Sequence, residues 1–319
     1  MTHDVGFTCM GCRMRLFAEG VDGSAVERAR RLLEALDARL SRFRQDSDLA
    51  RLNADPRATV AASTPLRAAV GVALWAAGRT DGLVDPTLLS DLERLGYVRS
   101  MADGPEMPLA EALAAAPPRT AAREAGGRLW RRVRIDAATG TITRPAGLRL
   151  DTGGTTKGFA ADAAARLLAG ARRLAVDCGG DLRLAVAPGA SPFEVQVEHP
   201  LGGEPAAILR VAGGAVATSG LGRRIWRRSD GRPAHHLLDP ATGEPAWTGV
   251  ISATALAPTA VEAEALAKAA LLRGPVGARR TLRPYGGVLI LDQGAVERVG
   301  AAGRPSVRVA RAAPRPVPA

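Results

Sequence analysis

The sequence predicts an α+β protein, with largely antiparallel or mixed sheets flanked by helices. Alternating apolar runs outnumber helical stripes, and several follow one another directly with no helix between them. The stripes that do occur carry one apolar face each, as helices packed on a sheet should.

Taken in order, Arg13 to Glu19 alternates and reads as a strand. Ser24 is placed to cap a helix on which Val26, Ala29, Leu32, Leu33, Leu36 and Leu40 form a stripe. Residues 41–48 read as a polar loop whose one aromatic, Phe43, joins no stripe, and Leu49, Leu52 and Asn53 close the segment. Thr64 and Pro65 suit the N-cap and first position of a helix running through about Gly78. Thr80 to Thr87 is a turn that presents Asp85 and Thr87 after two apolar residues. Residues 101–127, rich in Ala, Pro, Gly and charge, hold a helix around 108–115 and are the candidate insertion or boundary. Otherwise residues 1–300 read as one domain.

Leu129 to Ile135 and Thr141 to Arg144 flank Ala137-Ala-Thr-Gly140, a hairpin signal, and Leu148 to Leu150 reads as the end of another strand. Further strands fall at Leu174–Asp177, Leu182–Val186, Phe193–Glu198 and Ile208–Val211. Residues 310–319, with three prolines and no apolar pattern, read as a disordered tail.

Hydrophobic residues make up 46% and charged residues 24% of 319, a globular balance with enough chain for a real core. No run approaches the roughly 18 to 20 apolar residues of a membrane helix. The N-terminal stretch carries Asp4, Arg13, Arg15 and Glu19 instead of an apolar signal core, so the expected location is the cytoplasm. The net charge of +11 is almost all arginine, because Lys157 and Lys268 are the only lysines. With 3% aromatics and scattered arginines, the charge favours an anionic small ligand over nucleic acid. Three cysteines make no disulfide framework, and Cys9 and Cys12 lack the second pair that a zinc site needs.

The stretch from Asp151 to Asp162 concentrates the chemistry. Gly153 and Gly154 give a turn that a ligand can approach closely, and Thr155 or Thr156 can cap the helix that follows. Lys157 then falls in the first helical turn, where a cation opposes the helix dipole. A bound phosphate would explain it, and so would ordinary solvation of the side chain. Ala217-Thr-Ser-Gly220 places hydroxyls at the end of a small apolar strand. His235 and His236 precede the turn Asp239-Pro-Ala-Thr-Gly243, and neighbouring side chains diverge, so one of the two is available as a general base. Thr259 caps a helix in which Glu264 and Lys268 are spaced to pair. The rest of that helix is alanine and leucine, so the pair reads as buried.

Together and in this order, seven segments resemble the FAD:protein FMN transferase family, ApbE. They are Met10-Gly11; Ser41, Phe43, Ser47, Leu49 and Asn53; Gly82 to Thr87; Asp151 to Asp162; Gly179-Gly180-Asp181; Ala217 to Gly220; and His236 to Pro245. The likeness runs over about residues 5–295. It implies an ApbE-like, T-fold-like architecture and an enzyme that cleaves the FAD pyrophosphate. FMN would pass through a phosphoester to a Thr or Ser of an acceptor protein, and AMP would be released. By position, Met10, Phe43, Leu83, Val84 and Asp85 would line the flavin and adenine regions. Asp151, Lys157 and Ser219 would bind the cofactor, with Lys157 near phosphate, and His236 would be the base.

The family holds Mg²⁺ with a backbone carbonyl near Gly154 and with an Asp and a Thr that fall here on Glu264 and Lys268. Glu264 keeps an oxygen ligand, but an ammonium has no lone pair. Lys268 could instead put its own charge where one metal charge stood. Leu221-Gly222 also replaces the family's Asp-Tyr after Ser-Gly. Two alternatives accompany the transferase reading: a flavin-binding or trafficking protein without transfer, and an FAD pyrophosphatase in which water replaces the acceptor. His236 favours the enzymes and Lys268 the binder.

Overall fold

A computed structural model of the chain describes residues 1–101, 104 and 106–300, and the backbone of 307–308. The disordered tail expected at 310–319 lies outside the described residues. The scaffold is one open sheet of eight strands, every neighbour antiparallel. In chain order and in sheet order alike these are β1 (Thr2–Cys9), β2 (Cys12–Glu19), β3 (Arg173–Cys178), β4 (Asp181–Val186), β5 (Gly213–Gly220), β6 (Val250–Ala257), β7 (Gly287–Leu291) and β8 (Val296–Val299). The predicted α+β class and antiparallel pairing are therefore correct.

β1 carries little sequence signal of its own because its apolar residues are few and partly exposed. Its partner is set by a two-residue turn in which Met10 (φ 51°) and Gly11 (φ 65°) both adopt positive φ. Cys9 and Cys12 face each other across that turn.

Period-two alternation then decides the layers. Met14, Leu16 and Ala18 of β2 and Leu174, Val176 and Cys178 of β3 are buried on one face. Three helices cover that face: α1 (Gly23–Leu40), α6 (Thr156–Leu167) and α7 (Ala260–Leu272). Phe17 and Arg173 point the other way and meet Phe193 of a small sheet formed by 193–197, 207–211 and 307–308. Five more α-helices lie among the described residues: α2 (Asp48–Ala54), α3 (Thr64–Arg79), α4 (Leu89–Arg94), α5 (Leu109–Ala114) and α8 (Gly274–Leu282).

Several local expectations shift. Asp22, not Ser24, is the N-cap of α1, and Ser24 donates to its carboxylate at 2.7 Å. Ser63, not Thr64, caps α3 by accepting from the Leu66 N–H at 3.3 Å. The end of the 41–48 loop starts a helix, because Ser47 accepts from the Ala50 N–H at 2.9 Å and caps α2. Thr155 precedes α6 without a side-chain cap; its hydroxyl donates back to the Thr152 carbonyl at 3.2 Å. Leu148–Leu150 is not a strand: Leu150 is held instead by both ends of the Asn53 side chain, each at 2.8 Å. The helix expected near 108–115 is α5, and Met107, Leu109, Ala112 and Ala122 of the connecting segment join the main core.

Candidate active site

Helices α6 and α7 cross against the sheet, and their crossing builds the site. Glycine is required at Gly158 because a Cβ there would lie 2.7 Å from the carbonyl carbon and oxygen of Ala260. Asp162, one turn later, accepts from the N–H groups of Ala260 at 3.0 Å and Val261 at 3.1 Å. A carboxylate of one helix thus caps the N-terminus of the other.

Glu264 of α7 is fully buried. One of its oxygens accepts from the Gly158 N–H at 2.8 Å, and the other from Lys268 Nζ at 2.9 Å. Burial pushes the Glu264 carboxyl up, while Lys268 and Lys157 pull it down. Lys157 forms an ion pair with Asp181, at the start of β4. Burial disfavours the charge on Lys157, but Asp181 and Glu264 outweigh it and raise its pKa above the usual lysine value. The other oxygen of Asp181 is buried with no partner.

These groups stand beside a cavity of about 390 Å³. Met10, Phe43, Leu83, Val84, Asp85, Asp151, Gly154, Lys157 and His236 all line it, nine of the residues singled out from sequence. Its walls are fixed from below. The Asp151 N–H donates to the Pro86 carbonyl at 2.8 Å, tying the 151 turn to the 80–87 turn. Asp85 accepts from the Thr87 N–H at 2.8 Å and its hydroxyl at 2.6 Å, while burial pushes its carboxyl up. Arg42, unread in the sequence, lies 4.2 Å from the Phe43 ring centre and 4.4 Å from that of Tyr97, with Nε 3.4 Å from Asp151. Tyr97 in turn stacks on Trp226.

A second, broader opening of about 1420 Å³ is lined by Phe17 and Arg173 of the other sheet face and by Phe193 to Gln196 of the small sheet. Ser219 lines this groove and not the cavity. Gly11, Gly153, Lys157, Arg224, His236 and Lys268 line both spaces, so they form the wall between them.

The two histidines diverge as expected of neighbours. His235 is fully buried with its ring edge-on to Trp247 at 4.6 Å, a core position. Burial lowers its pKa to about 3. His236 is on the shared wall, and burial, then Arg224, His235 and Lys268, hold its pKa well below 6.5. It is therefore neutral at physiological pH and able to accept a proton.

Glu264 does not line the cavity, and Lys268 occupies the space between it and Gly154; a Cβ on Gly154 would be 3.9 Å from Lys268 Cε. With both Glu264 oxygens taken by donors and an ammonium alongside, the residues at this position do not fit a divalent cation. Among the described residues no group of three or more His, Cys, Asp or Glu is placed to hold a metal.

Likeness of sequence and fold places the chain among the flavin transferases. The ApbE family profile matches residues 10–290. An FAD:protein FMN transferase of Treponema pallidum is 33% identical, over 87% of this chain and 80% of its own. One from Klebsiella pneumoniae is 31% identical over the same shares. The crystal structure of the ApbE protein of Thermotoga maritima superposes with a TM-score of 0.76 at 25% identity, covering 94% of this chain and 97% of its own. The flavin transferase ApbE of Vibrio cholerae shares the fold, with a TM-score of 0.72 over 94% and 97%. The chain belongs to the ApbE family.

Proposed function

We propose that the chain is an FAD:protein FMN transferase, which moves FMN from FAD to a Thr or Ser hydroxyl of an acceptor protein. The observation that carries this reading is the shared wall. A ligand in the cavity and a polypeptide in the groove meet at His236, Lys157 and Lys268. The enclosed side, lined by Met10, Phe43 and Leu83 to Asp85, suits the flavin, and the lysines suit the pyrophosphate.

In the reaction the acceptor hydroxyl attacks the phosphorus of the FMN half. His236 takes the hydroxyl proton as the new P–O bond forms. The bond from that phosphorus to the bridging oxygen breaks, and AMP leaves with the electron pair. Burial and, after it, the surrounding cations hold His236 neutral; the anionic pyrophosphate offsets the cations and raises the basicity of the imidazole in the complex.

The acceptor enters as an exposed segment of a protein, and neither nucleic acid nor membrane insertion forms part of this reading. No helix among the described residues is long and apolar enough to cross a membrane.

Incubation of the chain with FAD and a Thr-bearing acceptor should give AMP and acceptor carrying FMN by mass spectrometry. His236→Ala should lower the rate by about 10²- to 10⁴-fold, with FAD still bound. AMP without labelled acceptor would identify water as the nucleophile and a pyrophosphatase instead. Bound FAD with no AMP under any condition would leave a flavin carrier.

A further inference from the structure

We infer that Lys268 is a built-in cation for the ligand's pyrophosphate, standing where the ApbE pattern places a divalent metal, so that the site works without one. This inference rests on the proposed FAD transfer reading. Three observations carry it. First, a chain whose basic residues are otherwise all arginine has two lysines, and both come to the wall between cavity and groove. Second, the three positions that the family resemblance assigns to metal do converge, but the middle of the arrangement is filled. Lys268 Nζ is 2.9 Å from Glu264, the Gly158 N–H holds the other Glu264 oxygen at 2.8 Å, and Gly154 packs beside the lysine stem. Third, the Lys268 side chain is 12% exposed above a fully buried Glu264, so the lysine lines the cavity while the carboxylate does not.

An ammonium cannot ligate a metal and repels one at contact distance. It carries three donors, of which one goes to Glu264, and the others are available to phosphate oxygens. Lysine suits the task better than arginine because its charge is compact and sits on a flexible stem. In the transfer, the acceptor oxygen bonds to the FMN phosphorus, its proton goes to His236, and AMP departs with the bridging oxygen and its electron pair. Lys268 meets the charge that grows on that departing oxygen. No further reactant is needed.

The test uses the full chain, dialysed against EDTA, with FAD affinity read from flavin fluorescence and AMP release read separately with an acceptor present. Both should agree within about twofold between EDTA and MgCl₂. Lys268→Thr should bind FAD about 10- to 100-fold more weakly in EDTA, the worth of one charged hydrogen bond, and recover in MgCl₂. Because Lys268→Thr leaves Glu264 buried without its partner, the neutral pair Glu264→Gln/Lys268→Met keeps the packing. It should lose affinity likewise and gain nothing from MgCl₂.

Wild-type FAD affinity that collapses in EDTA and returns with MgCl₂ would overturn the inference. So would wild-type affinity in both variants. Affinities that follow the expected pattern, with no AMP from any tube, would uphold the cation and refute the transferase reading.

Discussion

Gly158→Ala isolates the contact on which the site is built. Gly158 lies in the first half of α6, where alanine is the better helix former by about 0.5–1 kcal/mol. Its φ is not positive, so the backbone itself raises no objection. Against this gain, the added Cβ would lie 2.7 Å from the Ala260 carbonyl and 2.8 Å from the Val261 nitrogen. These are backbone atoms and cannot swing aside, so α7 must move. Such overpacking costs about 1–3 kcal/mol. The movement also lengthens the Gly158 N–H bond to Glu264 and the two Asp162 bonds that cap α7, charged hydrogen bonds worth about 1.5–3 kcal/mol each when lost. The net expectation is destabilisation by about 1–4 kcal/mol. It should appear as a lower urea midpoint at unchanged slope, together with weaker FAD binding as Lys268 and Glu264 shift. Gly71→Ala in α3 is the control. Its new Cβ meets only the Ile135 Cδ1 at 3.4 Å, and it should stabilise by up to about 1 kcal/mol. If Gly158→Ala behaves like Gly71→Ala, α6 and α7 do not cross at backbone distance and the reasoning fails.

Two further predictions concern buried charge. Asp181→Asn leaves Lys157 without its partner, so the unliganded protein should lose about 3–5 kcal/mol, and saturating FAD should recover part of it in a thermal melt. A melt unchanged by the substitution would show that Asp181 does not hold Lys157. His235 is pushed from 6.5 to about 3 by burial, so below pH 6.5 the unfolded chain binds a proton that the folded chain does not. Its contribution is complete above pH 6.5 and drains as pH falls toward about 3, at about 1.4 kcal/mol per unit. Urea titrations at pH 7 and pH 5 should therefore diverge less for His235→Phe than for wild type, by about 2 kcal/mol; equal divergence would place His235 in contact with solvent.

Much of the fold was legible because its signals are local. The α1 stripe, the alternation of β2 and the Ala137–Gly140 turn each depend on neighbours a few positions apart. The cavity lining was legible for a different reason: motif order ties Met10, Phe43, Asp85 and Asp151 together before any contact is known. Contacts between distant segments were not. The Asn53 clasp on Leu150 joins residues 97 positions apart, and the Asp162 cap on α7 spans 98. Asn53 and Asp162 do stand in the motifs, yet nothing in a sequence says which backbone groups such side chains will meet. Arg42 was hidden in the opposite way, as one arginine among many, and only its position under Phe43 and Tyr97 distinguishes it.

Lys157 shows how a local anomaly becomes informative once the fold is known. At the first turn of α6 a lysine opposes the helix dipole, and a bound phosphate or ordinary solvation would each explain it from sequence. The structure supplies a carboxylate, Asp181, delivered by the edge of β4 just after the Gly179-Gly180 turn. Yet that carboxylate raises a second anomaly, since its other oxygen is buried and unpartnered. Removing Lys268 would leave Lys157 facing both Asp181 and Glu264, an excess of negative charge where the proposed transfer places an anionic pyrophosphate. The second lysine brings the four-residue cluster to formal neutrality, which a carboxylate-rich site otherwise achieves with a metal. The departures at Glu264 and Lys268 are therefore one change, not two, and they should be altered together when the electrostatics of this site are redesigned.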